Sequence, residues 1–268
     1  MAVAYDYHVH TSLSPDGVSS MEEYIGEALR RGMEGLCFTE HIDVLSPEVD
    51  FNPGTDLAAY QNAFQRVKER YGDALFLGFG LEAGILSWSA EATRAYMRGY
   101  GFDYVIASCH WPEGLPNLMY PENWAYVTRE TALQRYLEGF YQSLGRYDDY
   151  DCIGHLTYFS RYCPLADKKP RFADAPDQIT AILKHLIERG KGMEVNTSTY
   201  GKEGFTMPDL EIVRGYRELG GEIITLGSDA HEAGALCQSF SYAAGMLKEA
   251  GFTHYTVFAE RRPRFLPL

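Results

Sequence analysis

A chain of 268 residues, 46% of them hydrophobic and 23% charged, has the make-up of a globular protein and the length of one large α/β domain. Its formal net charge of −13 opposes a nucleic-acid backbone or an anionic membrane as partner, because neutralising phosphate takes clustered Lys and Arg. A small phosphorylated substrate is still compatible, since bound metal ions can supply a local positive field.

The chain alternates short apolar runs with helical stretches, and polar residues gather where the runs end. Tyr5–His10 carries the pair His8-Val9-His10 and leads through Ser14-Pro15-Asp16-Gly17 into a helix over Ser20–Arg31. Gly35–Thr39 is followed by Glu40-His41 and a helix over Asp56–Tyr71, and Ala74–Leu81 ends at Glu82 before a helix over Ser89–Gly99. Tyr104–Ser108 ends at His110 ahead of a helix over Thr128–Arg146, and Tyr150–Gly154 ends at His155 ahead of one over Asp177–Arg189. Gly192–Val195 ends at Asn196 and leads to a helix over Pro208–Leu219; Glu222–Leu226 then ends at Gly227-Ser228-Asp229-Ala230-His231. A helix over Ser239–Ala250 and a run Tyr255–Phe258 complete the chain.

Seven such units with continuously apolar strands predict a parallel sheet covered by helices. Polar residues at the C-terminal end of nearly every strand favour a barrel over an open doubly wound sheet, whose ligands would gather at one switch point. No linker or low-complexity tract interrupts residues 1–268, so one domain is expected, with the long loops at 43–55, 111–127 and 156–176 shaping a pocket. The five cysteines form no C-x-x-C pair; Cys37, Cys109 and Cys152 lie in apolar runs and read as small buried hydrophobes. No apolar run reaches the roughly 18 residues of a membrane span, and no leader pattern opens the chain, so a cytoplasmic protein is expected.

The strand ends collect His8, His10, Asp16, His41, Glu82, His110, His155, Asp229 and His231, which include six of the eight histidines. Residues i and i+2 of a strand face the same side, so His8 and His10 can reach one cation. Burying so many polar groups without partners would cost several kcal/mol, and metal ions would satisfy them together. Neutral imidazole suits zinc, manganese or iron.

In order and spacing this array resembles the polymerase and histidinol phosphatase (PHP) family. The residues that carry the resemblance are His8-Val9-His10, Asp16, Thr39-Glu40-His41, Gly80-Leu81-Glu82, Ser108-Cys109-His110, Gly154-His155 and Ser228-Asp229-Ala230-His231. Within the family the chain looks most like stand-alone histidinol-phosphate phosphatases, through Gly192-Met193-Glu194-Val195-Asn196-Thr197-Ser198, Tyr216-Arg217-Glu218-Leu219-Gly220-Gly221 and the tail Gly251–Leu268. The resemblance implies a distorted (β/α)7 TIM-like barrel and three divalent ions. His8, His10, Glu82 and Asp229 would hold the first, Glu82, His110 and His155 the second, and Asp16, His41 and His231 the third. Relatives often carry Asp two residues after the strand-five His, where this chain has Thr157, which puts the orientation of that ligand in question.

Three divalent ions against the carboxylates of Asp16, Glu82 and Asp229 leave a local charge of about +3, suited to phosphate hydrolysis by metal-activated hydroxide. Asp229, His231 and Arg161 are the expected catalytic residues, and Arg161 is also the expected phosphate clamp, with Arg171 a weaker competitor. Asp43, Glu113 and Asn196, with Trp111, Tyr158 and Tyr162 nearby, are the expected contacts for the organic part of the substrate. The expected reaction is hydrolysis of L-histidinol phosphate to L-histidinol and phosphate. The alternatives are a phosphoesterase acting on nucleotides or another small phosphate ester, an amidohydrolase, which would usually bridge its metals with a modified Lys where Glu82 stands, and a metal-stabilised module without activity. The metal's identity, the general acid and the oligomeric state stay open at this stage.

Overall fold

The computed structural model describes residues 3–47 and 51–268, so three positions of the expected 43–55 loop lie outside the described residues. Seven parallel strands pair in strict chain order: β1 (Tyr5–Asp6), β2 (Gly35–Ile42), β3 (Phe76–Gly84), β4 (Tyr104–Ser108), β5 (Cys152–Ile153), β6 (Gly192–Asn196) and β7 (Ile224–Gly227). Each is buried along almost its whole length, which is why the runs read as continuously apolar and not as alternating. The ring closes between its first and last strands. Tyr7 N donates to Leu226 O at 3.1 Å, Asp229 N to His8 O at 2.8 Å and His10 N to Ala230 O at 2.9 Å. The molecule is thus a nearly closed seven-stranded barrel, and the closing seam runs straight through three of the expected ligands, His8, His10 and Asp229.

Helices cover the outside: α1 (Met21–Arg31), α2 (Leu57–Tyr71), α3 (Ala90–Met97), α4 (Arg129–Leu144), α5 (Pro176–Glu188), the short α6 (Tyr200–Glu203), α7 (Leu210–Glu218) and α8 (Phe240–Glu249). Their starts follow local chemistry. Ser20 and Glu23 form a reciprocal capping box on α1, the Asp56 carboxylate accepts from Ala58 N and Ala59 N at the start of α2, and Pro176 opens α5. None of the helices among the described residues is long and apolar enough to cross a membrane.

The tail departs from the sequence expectation. β8 (His254–Ala259) pairs antiparallel with a second strand, β9 (Arg262–Pro267), that has no apolar pattern of its own and whose residues are mostly exposed. The turn between them places Glu260 and Arg261 at φ 52° and 62°, a two-residue hairpin turn made without the usual Asn-Gly, so no turn signal marked it. This hairpin closes the end of the barrel opposite the ligand residues: Tyr7 Oη donates to Phe258 O at 2.7 Å, and the Tyr104 and Phe258 rings lie 4.9 Å apart.

Candidate metal centre

The barrel's parallel register sets the site. His41 on β2 and Glu82 on β3 are direct register partners, so their side chains enter the barrel mouth at one level. The Glu82 carboxylate, with no exposed surface, stands at the middle. Its Oε1 lies 2.7 Å from His155 Nε2 and 3.3 Å from His110 Nε2, and accepts from Ser108 Oγ at 2.6 Å. Its Oε2 lies 2.7 Å from His41 Nδ1, 3.3 Å from His8 Nε2 and 3.4 Å from His10 Nε2. Asp229 Oδ1 adds a second focus, 3.4 Å from His10 Nε2 and 3.7 Å from both His8 Nε2 and His231 Nδ1. Asp16, on the more exposed side, reaches His231 Nε2 at 3.0 Å and His41 Nε2 at 3.8 Å.

Four of the atoms in this set make no hydrogen bond. His8 Nε2, His10 Nε2, His41 Nδ1 and Glu82 Oε2 are all buried without a hydrogen-bond partner, although each lies within 3.4 Å of another member of the set. Nitrogens and oxygens so placed face common points between them, as ligands to a cation do, whereas leaving them unpaired would be costly. Among the described residues, four groups bring their ligand atoms within 4.8 Å of one another: His8, His10 and Glu82; Glu82, His110 and His155; His10, His41 and His231; and His41, Asp43 and His110. The donor set of imidazole and carboxylate fits divalent transition metals. The first two groups coincide with the expected division except that Asp229 stands beside the first. The third brings His10 to His41 and His231, where Asp16 was expected.

Charge within the site is strongly coupled. Burial lowers His10 well below the usual imidazole value, and its neighbours His41 and His231 push the same way, so that ring is held neutral. Burial by itself raises the Glu82 carboxyl, but His41, His8 and His110 outweigh it and hold it well below the usual range. Asp229 behaves alike, with Arg161 and His8 overcoming burial. Burial lowers His231, but Asp16 and Asp229 raise it to about 9.

A cavity of about 250 Å³ opens above the centre, walled by Trp111, Tyr158 and Tyr162 and floored by His110, His155 and Asp229. Arg161 lines it, half-buried, and its Nη1 donates to Asp229 Oδ2 at 3.1 Å. Arg171 pairs with Asp167 on the surface and does not line it. A second, more apolar cavity of about 280 Å³ adjoins the first across Trp111 and Tyr158, with Glu113 on its wall. Glu113 is exposed and accepts from Ser87 Oγ at 2.9 Å.

Two residues expected at the substrate stand elsewhere. Asp43 is buried, 1% exposed, and its Oδ1 lies 2.9 Å from His110 Nδ1, behind the ring and not in front of it. Asn196 is fully buried; its Oδ1 accepts from Ser198 Oγ at 2.6 Å, and Ser198 Oγ also reaches Asp229 Oδ2 at 3.3 Å. Both belong to a layer that orients the ring and carboxylate groups, because a polar group at a strand end can face backwards as readily as into the cavity. The same layer holds residues that the sequence did not single out: Ser108, donating to Glu82, and Glu194, whose Oε1 lies 2.6 Å from His8 Nδ1. Strand periodicity could have marked Glu194, since it shares the inward face of β6 with Asn196. At Thr157 the question raised by the sequence stands out: His155 Nδ1 and Thr157 Oγ1 are both buried with no protein partner, and Thr157 adopts φ 90°, unusual for a β-branched residue.

A seven-stranded barrel with this His, Asp and Glu cluster at its mouth defines a class, and comparison with known proteins gives the same one. The PHP domain family matches residues 6–198, and the chain belongs to that family. Among its relatives, the histidinol-phosphatase of Lactococcus lactis is 31% identical over 95% of this chain and 94% of its own length. A probable histidinol-phosphatase of Thermotoga maritima is 29% identical over 94% of both chains. The crystal structure of the Lactococcus lactis histidinol phosphate phosphatase, complexed with zinc, L-histidinol and phosphate, superposes with a TM-score of 0.89 at 28% identity, covering 97% of this chain and 98% of that one.

Proposed function

We infer that this chain is a metal-dependent phosphomonoesterase that hydrolyses L-histidinol phosphate to L-histidinol and phosphate, a step of histidine biosynthesis. The observation that carries the reading is the group of buried atoms His8 Nε2, His10 Nε2, His41 Nδ1 and Glu82 Oε2, which have no hydrogen-bond partner and lie under a cavity that Arg161 lines. Two relatives matched over nearly their whole length carry the histidinol-phosphatase name, one of them as probable.

Three divalent ions of zinc, manganese or iron are proposed, held by His8, His10, Glu82 and Asp229, by Glu82, His110 and His155, and by Asp16, His41 and His231. When bound they would supply Lewis acidity to the phosphoryl oxygens and acidify water for in-line attack. The protein's own groups do the rest. Arg161 offers two parallel N–H donors to the equatorial phosphoryl oxygens, and its contact with Asp229 fixes where the guanidinium stands. Trp111, Tyr158 and Tyr162 exclude water from one side of the cavity and give the imidazole of the substrate aromatic faces to pack on. Glu113, on the wall of the adjoining cavity, is placed for the substrate's ammonium group. We take residues 1–268 as one catalytic domain acting in the cytoplasm.

Release of inorganic phosphate from L-histidinol phosphate, compared with a panel of nucleoside monophosphates, tests the substrate. The expected result is a kcat/KM for histidinol phosphate at least about 100-fold above the panel, the scale that shape discrimination in a pocket reaches even without paired hydrogen bonds. Comparable low rates on every ester would overturn it. Asp229→Asn should abolish turnover while the fold persists; intact activity with lost stability would instead make the centre structural.

A further inference from the structure

Glu194 is buried to 1% exposure on the inward face of β6, yet none of the four ligand groups includes it. Its two oxygens reach in different directions. Oε1 lies 2.6 Å from His8 Nδ1, on the strand that opens the barrel. Oε2 accepts from His155 N at 2.8 Å, at the end of β5, and from Asn196 Nδ2 at 3.3 Å. Gly227 clears the space it occupies, for a Cβ there would overlap both Glu194 Oε1 and the His8 Cβ. The nitrogen of His8 that faces Glu82 is Nε2, buried without a hydrogen-bond partner.

We propose that Glu194 is a positioning residue that fixes the His8 tautomer and holds His8 and His155 at a set separation, so that one carboxylate behind Glu82 registers both halves of the metal centre. The inference rests on the metal-centre reading above. An ionised carboxylate only accepts, so His8 must present its proton at Nδ1 and leave the Nε2 lone pair for a cation. The backbone of His155 is tied to the same group, so a shift at either ligand is transmitted to the other. A glutamine in its place cannot serve both sides. The two donors at the Oε2 position, His155 N–H and the Asn196 amide, select the amide oxygen there. The NH2 is then left facing His8 Nδ1, which favours the Nε2-protonated ring, and that ring cannot ligate through Nε2.

The test is Glu194→Gln, read by zinc stoichiometry and by zinc affinity from chelator competition, alongside the wild type, with thermal melting to check the fold. The expected result is a folded variant with zinc affinity about 10- to 100-fold lower, the usual cost of losing an outer partner of a ligating His. Ring 15N spectra of the zinc-loaded wild type, which need no variant, should show His8 protonated at Nδ1 and bound through Nε2. A wild-type His8 without a proton on Nδ1, or a folded Glu194→Gln with unchanged zinc affinity, overturns the proposal. A wild type that binds no zinc, manganese or iron at all would instead bring down the metal-centre reading, and this inference with it.

Discussion

Asp229 holds an unusual backbone, φ 53°, at the point where the closing seam of the barrel meets the ligand cluster. A non-glycine residue in that region costs about 1–3 kcal/mol unless its surroundings hold it, although Asp tolerates it better than most. Here its N–H is fixed on His8 O and its carboxylate on Arg161 and Ser198. Arg161 therefore has two neighbours to serve, Asp229 behind it and the cavity in front. Arg161→Ala is expected to raise KM for phosphate esters about 10- to 100-fold, as loss of charge-assisted hydrogen bonds implies, with metal content unchanged. Steady-state kinetics with elemental analysis of the same sample check it, and unchanged kinetics would remove Arg161 from the site. Arg161→Lys should recover little of the loss, since an ammonium cannot make the paired contact.

Among the elements, what distinguishes β3 and β7 is that an inward position is given up to glycine where a polar side chain from a neighbour must pass. At Gly84, the last residue of β3, a Cβ would overlap the Asp43 carboxylate that orients His110. Gly84→Ala should thus displace Asp43, loosen His110 and lower activity about 10- to 100-fold by weakening the ion that His110 helps hold. The checks are metal affinity and kcat together; a loss of kcat with metal affinity intact would contradict this route. The helices are set by independent local signals. Ser20→Ala removes the hydroxyl that accepts from Glu23 N at the start of α1, outside the candidate ligand set, and should cost about 1 kcal/mol in chemical unfolding while leaving kcat unchanged.

Over the whole molecule, metal binding and folding are coupled through the seam, because the groups that close the barrel are neighbours of those that bind. In the metal-stripped protein His231 is raised from 6.5 to about 9, burial opposing and Asp16 and Asp229 prevailing. A raised value means that the folded state holds the proton more tightly than the unfolded chain does. The stability it contributes is therefore complete below about pH 6.5 and lost as pH rises through about 9. With His231 as a ligand, as proposed, a bound cation would replace that proton, so the loaded protein should not show this loss. Thermal melts from pH 6 to 10, with and without chelation, are expected to show Tm falling across that window only in the stripped protein. Metal affinity should rise over the same range as the competing proton leaves.

The convergence of the candidate ligands was readable in the sequence because a parallel barrel places every strand's C-terminal end on one rim. A polar residue just past each apolar run, as at His41, Glu82, His110 and His155, then converges with the others whatever the details of packing. The strands, the helices and their caps were readable for the same kind of reason, being written in local runs and in residues such as Ser20, Asp56 and Pro176. Which way a buried polar side chain faces was not. Asp43, Asn196 and Glu194 differ from the ligands only in pointing behind them, and that depends on the space left by Gly84 and Gly227 on adjacent strands. The closing hairpin was hidden too, because β9 is exposed and its turn uses Glu260 and Arg261 at positive φ. Sequence alone determined which side chains meet at the rim, since chain order and strand direction suffice for that. Only the tertiary structure decided which of them touch the cavity and which hold the others in place, because that is settled by contacts between strands far apart in the chain.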